Sequence, residues 1–444
     1  MSLFKSDSAR TTAIYKNVAA SFFLKGCSAV IALLMVPLTL TCLGEYRNGV
    51  WLTISSMLVW IDQMDIGLGN GLRNKLAACI AHNHMQEARC VISSTIFMLI
   101  CIIVPLTAIL CLLILTTDVF AFFNVDATII PDLRNVLLSA VILVCMTFVF
   151  KTVGNIYMGL QLPAVSNMIL VIGQAIALVT TWFLLQNGVA TFFNIVIANT
   201  LAPLAVYLTA YMLTLYKYHI ELRPSLKCVN LHSAFELGNL GIKFFWLQIA
   251  GIIQFMTANI LISKFFTPDM VTPYQIAYRY TSLVIVAFTV VCMPFWNATT
   301  DAYERKEYEW IRHANQTMNL MMIGIAFLLM AMVALSPWVY DVWIGDKCHV
   351  PFGMTAMMAL YVFLLVLSMR YSYFLNGIGA LRLQLYMTAV TVFYIPLAWF
   401  VSKETGDILC LMVVMCLCIT PSIFINMIQF HKILNGKAKG LWKI

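Results

Sequence analysis

The chain has 444 residues, of which 62% are hydrophobic and 10% charged, against roughly 45–50% and about 25% in soluble domains. So apolar a chain cannot cover a water-facing surface with polar groups, which excludes a soluble fold. The net charge of +8 comes without a basic cluster interleaved with aromatics, so no nucleic-acid partner is expected, and thirteen cysteines without one C-x-x-C speak against a metal or dithiol centre.

In chain order, a polar arm over residues 1–16 carries Lys5, Arg10 and Lys16. The apolar stretch behind it is too long for a signal peptide and lacks a small-residue cleavage site, so it reads as a permanent helix. Twelve apolar stretches then predict helices over 17–42, 50–71, 91–116, 136–158, 164–185, 192–216, 243–264, 274–298, 315–337, 352–374, 384–402 and 408–430. Each is long enough to cross about 30 Å of hydrocarbon, and a helix satisfies its own backbone groups there. The expected fold is all-α: a polytopic membrane protein with an N-terminal six-helix bundle over 17–216 and a C-terminal one over 243–430 around a central cavity. A cytoplasmic linker spans 217–242 and a cytoplasmic tail 431–444.

Basic residues set the orientation. With the N-terminus inside, eighteen Lys and Arg fall on inner segments and five (Arg47, Arg134, Lys264, Lys347 and Lys403) on outer ones, so both termini are expected in the cytoplasm. The two halves also echo each other: Val50 to Arg89 and Tyr274 to Arg312 each carry a span into a basic inner segment. Two such bundles related by an axis normal to the membrane would face one cavity. No link between spans is long enough to house an extramembrane catalytic domain, which counts against a membrane glycan polymerase or acyltransferase.

Ionisable groups within spans are costly in hydrocarbon and mark protein interior or water. They are Lys25, Asp62, Asp65, Lys151, Arg279 and Arg370. Each cation has two readings. Lys25, Lys151 and Arg370 could snorkel to the inner surface, and Arg279, between Tyr278 and Tyr280, could anchor at the interface. Alternatively, all four line the cavity, where several cations would favour an anion and a diphosphate above all. Asp62 and Asp65, three apart on one helical face, are candidates for binding a coupling H⁺ or Na⁺, while Asp65 could equally cap a helix broken at Gly67. Gly67, Gly69 and Gly71 are not a nucleotide loop, since no strand precedes them and no Lys-Ser/Thr follows; they read as hinge or close-packing positions. No Ser–His, His or metal constellation lies in the spans, so no catalytic residue, metal or cofactor is expected and the protein reads as a non-enzyme.

Gly44-Glu45-Tyr46-x-x-Gly49-Val50-Trp51, followed by Asp65-x-Gly67-x-Gly69-Asn70-Gly71-Leu72, resembles the N-terminal signature of bacterial polysaccharide flippases. These are the O-antigen flippase type (Wzx-like) in the multidrug/oligosaccharidyl-lipid/polysaccharide (MOP) exporter superfamily. The resemblance covers about the first hundred residues. It implies a MATE-like fold that alternates between inner-open and outer-open states in the bacterial cytoplasmic (inner) membrane. It also implies a lipid (undecaprenyl) diphosphate-linked oligosaccharide as cargo, an H⁺ or Na⁺ gradient as driving force, and a glycan polymerase and chain-length regulator as partners beside membrane lipid. A multidrug cation antiporter of the same superfamily is the alternative; it would favour acidic cavity residues, whereas four of the six intramembrane charges here are basic.

Overall fold

The first apolar stretch stays helical through its predicted turn. In the computed structural model, which describes residues 8–62, 68–230, 257–380, 382–391 and 393–442, α1 (Ser8–Asp62) is broken only at Gly44, with φ 69° and ψ 173°. That backbone state is open essentially to glycine alone, so one residue ends one helix and starts the next. The helix-continuing residues Glu45–Gly49 therefore replace the six-residue turn expected between the first two spans.

The chain continues as α2 (Leu68–Ala81), α3 (Met85–Thr116), α4 (Val119–Phe123), α5 (Leu133–Phe150), α6 (Thr152–Gly159), α7 (Pro163–Gln186) and α8 (Phe192–Leu213). Helical residues 257–265 (α9) follow. Then come α10 (Pro268–Thr281), α11 (Leu283–Glu304), α12 (Tyr308–Ile344), α13 (Phe352–Ile378), α14 (Arg382–Thr391), α15 (Tyr394–Thr405) and α16 (Ile408–Leu434). The described residues are all-α, without strands. Eight helical stretches among them are long and apolar enough to cross a membrane. The first, Ala19–Ile61, has 43 residues, or about 65 Å of helix at 1.5 Å per residue. That is twice the hydrocarbon thickness, and the break at Gly44 divides it.

Several predicted boundaries move. Of the span expected over 50–71, residues 50–62 belong to α1, and Gly69 and Gly71 lie on α2 with Arg73 and Lys75, the basic residues expected beyond the span. The span expected over 274–298 is interrupted at Ser282, between α10 and α11, and the one over 384–402 between α14 and α15. Asp65, Gly67, the linker beyond residue 230 and the start of the seventh predicted span lie outside the described residues.

Two compact units divide the chain: Met1–Arg47 with Ile54–Phe245, and Asn48–Thr53 with Trp246–Ile444. In the first, α8 packs on α5 and α7, α3 on α5, and α2 on α3 and α6. Linker residues are tied to the start of α3: Arg89 Nε donates to Arg223 O (2.7 Å), Ser225 N to Ser93 Oγ (3.0 Å) and Asn230 N to Ser94 Oγ (2.9 Å). In the second, α13 is central, packed by α10, α11, α12 and α16, with the Tyr371 and Phe374 rings each tilted against Phe430.

The signature around Gly44 divides its contacts. Within the first unit, Asp126 N donates to the Tyr46 hydroxyl (3.0 Å) and Arg47 Nη2 to Ile129 O (3.2 Å). Within the second, Asn48 Nδ2 donates to Thr272 Oγ1 (3.3 Å), Gln275 Nε2 to Asn259 Oδ1 (2.7 Å), and Asn259 Nδ2 reaches Leu52 O (3.5 Å).

The loop that Tyr46 and Arg47 hold begins as an Asx turn. Asp126 Oδ1 accepts from Thr128 N (2.8 Å) and Thr128 Oγ1 (2.7 Å), and these bonds hold its carboxyl below the usual carboxylate range. A lowered folded-state pKa contributes stability above the unfolded value of about 3.9, lost as pH falls through the folded value. The protection factor of the Thr128 amide, its exchange corrected for the intrinsic rate at each pH, is therefore expected to be flat from neutrality down to about pH 4 and to fall below it. In Asp126→Ala protection should be low throughout.

Candidate functional site

The four predicted cations fall two in each unit, Lys25, Arg279 and Arg370 on helices and Lys151 in a break between two. Lys25 is exposed on the first part of α1, one turn before Ser28, whose hydroxyl donates to Gln174 Oε1 on α7 (2.7 Å). Lys151 sits half-buried in the single-residue break between α5 and α6, its N–H on Thr147 O (2.8 Å). Arg279 is half-buried in the last turn of α10, where a cation favours the helix dipole. Beside it the Tyr280 hydroxyl donates to Met332 O (3.1 Å) and its ring meets Tyr340 edge-on at 5.4 Å.

Arg370 differs from the other three. Its side chain, two turns from the C-terminal end of α13, is 3% exposed. Nη2 donates to Asn315 O (3.4 Å) and to Asn315 Oδ1 on α12, and the guanidinium carbon stands 4.6 Å from the Tyr371 ring centre. Among the described residues no carboxylate pairs with it, and its buried Nε finds no hydrogen-bond partner. Arginine stays charged in proteins, and a buried charge without its counter-charge costs several kcal/mol.

Asp62 is the last residue of α1; its side chain, like all of Asp65 and Gly67, lies outside the described residues. Gly69 and Gly71 are buried within the first turns of α2.

Beside these stands a polar seam that the charges alone do not announce. On the α13–α16 interface Ser368 Oγ meets Ser422 Oγ (3.1 Å), and Asn426 Nδ2 donates to Ser372 Oγ (3.3 Å). Asn376 Oδ1, Asn426 Oδ1 and both amide atoms of Gln429 are buried without a partner among the described residues. The sequence did carry a signal: Ser368, Ser372 and Asn376 on one span, and Ser422 and Asn426 on the other, recur at the four-residue spacing of one helical face. Asn315 as the partner of Arg370 had no such signal, because it depends on which helices meet. Among the described residues no group of three or more His, Cys, Asp or Glu could hold a metal ion.

No family profile matches the chain. Three curated proteins do resemble it across most of its length. A protein of Salmonella typhimurium named as an O-antigen transporter is 19% identical over 322 residues, 70% of this chain and 69% of its own length. One of Yersinia pseudotuberculosis named as an O-antigen export protein is 21% identical over 364 residues, 80% of this chain and 81% of its own. Among solved structures, an inward-facing multidrug resistance MATE family transporter of the MOP superfamily aligns with a TM-score of 0.74 at 16% identity, covering 92% of this chain and 96% of that one. An outward-facing MATE transporter aligns at 0.60 and 14%, covering 96% and 99%.

Fold and relatives point the same way: the helical fold is that of MATE transporters, and the curated proteins that resemble the chain over most of its length are named as transporters, not enzymes. The resemblance read from the first hundred residues is matched by a likeness to proteins named for O-antigen transport or export over 70% to 80% of the chain.

Proposed function

We propose that this protein moves a lipid diphosphate-linked oligosaccharide repeat unit, O-antigen-like, from the cytoplasmic to the periplasmic leaflet by alternating access. The observation that carries the reading is the match, over most of the chain, to proteins named as O-antigen transporters. The charges support it: four of the six ionisable groups within the predicted spans are basic, the sign a diphosphate head requires. In this reading Lys25, which is exposed, and Lys151 and Arg279, which are half-buried, meet the phosphates, and Arg370 adds positive field from within its bundle. Asp62 or Asp65 binds the coupling H⁺ or Na⁺, and Gly67, Gly69 and Gly71 let their segment pack closely or bend. The protein works in the bacterial inner membrane with both termini cytoplasmic, handing its cargo to a glycan polymerase under a chain-length regulator.

Reconstitution tests it. Vesicles holding the protein should move a fluorescent lipid-diphosphate sugar between leaflets faster than empty vesicles, in an imposed H⁺ or Na⁺ gradient. Asp62→Asn or Asp65→Asn should change which gradient, or how steep a one, the movement needs. Equal rates with and without protein would refute the reading. Efflux of a lipophilic cationic dye in place of the sugar lipid would transfer the protein to the multidrug antiporters.

A further inference from the structure

We propose that Cys90 and Cys228 form a reversible oxidation site, at which a hydroperoxide converts the two thiols to a disulfide that fastens the linker to the start of α3. Three hydrogen bonds already lay residues 223–230 along one face of that helix. Arg89 Nε donates to Arg223 O (2.7 Å), Ser225 N to Ser93 Oγ (3.0 Å) and Asn230 N to Ser94 Oγ (2.9 Å). Cys90 lies one turn before Ser93 and Ser94 on the same face. Cys228 lies between Ser225 and Asn230, in a short turn closed by its own N–H on Ser225 O (3.0 Å). The two thiols are thereby in hydrogen-bond contact. No C-x-x-C announces this pair, because the fold makes it and the spacing does not.

Both cysteines are half-buried, but Cys90 also lines an open cleft of about 680 Å³ with Asn83, His84, Glu87 and Asn230. A small peroxide therefore meets Cys90 first. Its sulfur, as thiolate, attacks a peroxide oxygen; the O–O bond breaks, water leaves and a sulfenic acid remains. The Cys228 sulfur then attacks the Cys90 sulfur, the S–O bond breaks and a second water leaves. Two thiols and one hydrogen peroxide give one disulfide and two waters, sulfur being oxidised and peroxide reduced. On the cytoplasmic side, where the proposed orientation puts the linker, thiols rest reduced, so the bond is a transient response to oxidant. Hydrogen bonds alone let the segment open and reclose; the disulfide survives each opening and keeps the segment in place.

The full-length protein in detergent decides it. Brief hydrogen peroxide, then N-ethylmaleimide, digestion and mass spectrometry should show Cys90 joined to Cys228, and dithiothreitol should release both thiols. Hydrogen-exchange protection of the Ser225 and Asn230 amides should rise several-fold on oxidation and return on reduction, since local opening sets their exchange. Cys90→Ser and Cys228→Ser should each lose the bond and the gain in protection. Cys101→Ser, at an exposed position further along α3, should keep both.

Wild-type protein whose Cys90 and Cys228 stay unjoined after peroxide, whether open to maleimide or oxidised singly, overturns the proposal. Joining of either cysteine to another thiol instead overturns it too, as does a Cys90–Cys228 bond that leaves the protection of both amides unchanged. A peroxide-induced rise in protection that persists in both serine variants would come from oxidation elsewhere, such as at methionine, and equally refutes the site. None of these readouts needs transport, so they stand whether or not the flippase reading does.

Discussion

Replacing Gly49 by alanine should cost most or all of the folded protein. A Cβ built there would lie 1.7 Å from the carbonyl oxygen of Pro268 and 2.7 Å from its carbonyl carbon. Both are backbone atoms at the start of α10, so no side-chain rotation relieves the clash. Either Asn48–Thr53 or the first turn of α10 must move, and either movement pulls on the buried bonds from Asn48 to Thr272 and from Asn259 to Leu52 O. Overpacking a filled core typically costs about 1–3 kcal/mol; contact with backbone this close places Gly49→Ala at or beyond the upper end. The check is the yield of monodisperse protein and its apparent Tm beside Gly324→Ala. Nothing lies within 4 Å of a Cβ at Gly324, in the middle of α12, and alanine there gains helix propensity of up to about 1 kcal/mol. Gly324→Ala should match or exceed the wild type while Gly49→Ala fails; equal behaviour of the two would show that the Pro268 contact does not form.

Removing the accessible cations should abolish transport while leaving the protein folded. Lys25 is exposed and Lys151 and Arg279 are half-buried, so truncating them disturbs packing less than truncating the buried Arg370 would. A hydrogen bond to a charged group contributes about 1.5–3 kcal/mol, which corresponds to roughly a 10- to 100-fold change in an equilibrium constant. Each alanine variant should therefore need about ten times more lipid-diphosphate sugar, or more, for half-maximal flipping, and the triple variant should show none. Lys403→Ala, an exposed cation near the C-terminal end of α15, is the control for net charge and should flip normally. Wild-type rates in the triple variant would remove the cation assignment.

Much of the fold was legible because hydrocarbon imposes a simple rule. Stretches such as those from residues 352 and 408 begin where the helices begin, since Pro351 and Asp407 punctuate long apolar runs and Asp407 caps its helix through Leu409 N (2.9 Å). Breaks inside apolar runs were harder to read. Ser282 and Phe393 look no different from a continuous span, because helix interruptions within a bundle are compensated by neighbours rather than written as polar segments. Gly44 misled in the opposite direction. Its polar surroundings suggested a loop, yet one residue in a glycine-only conformation suffices, and Glu45–Gly49 remain helical. The glycines at 69 and 71 look from sequence like the end of a span, while in the structure they share one helix, α2, with Arg73 and Lys75.

For the site, composition reached the charges but not their surroundings. Lys25, Lys151, Arg279 and Arg370 are equally conspicuous as basic residues in apolar sequence, and snorkelling and inward placement are equally open to each until neighbours are known.

The sequence by itself determined that the chain is apolar enough to span a membrane, that its helices are many, and how unevenly its basic residues divide between alternate links. Those properties follow from local sums, apolar length against bilayer thickness and charge against the loop that carries it. Only the tertiary structure decided that Arg370 is sealed against Asn315 and Tyr371 while Lys25 stays open, that Gly49 must be bare because Pro268 lies against it, and that serines and amides far apart in sequence meet between α13 and α16. Such outcomes depend on which helices are neighbours and at what register, and an apolar helix can bury any of its faces with nearly the same gain.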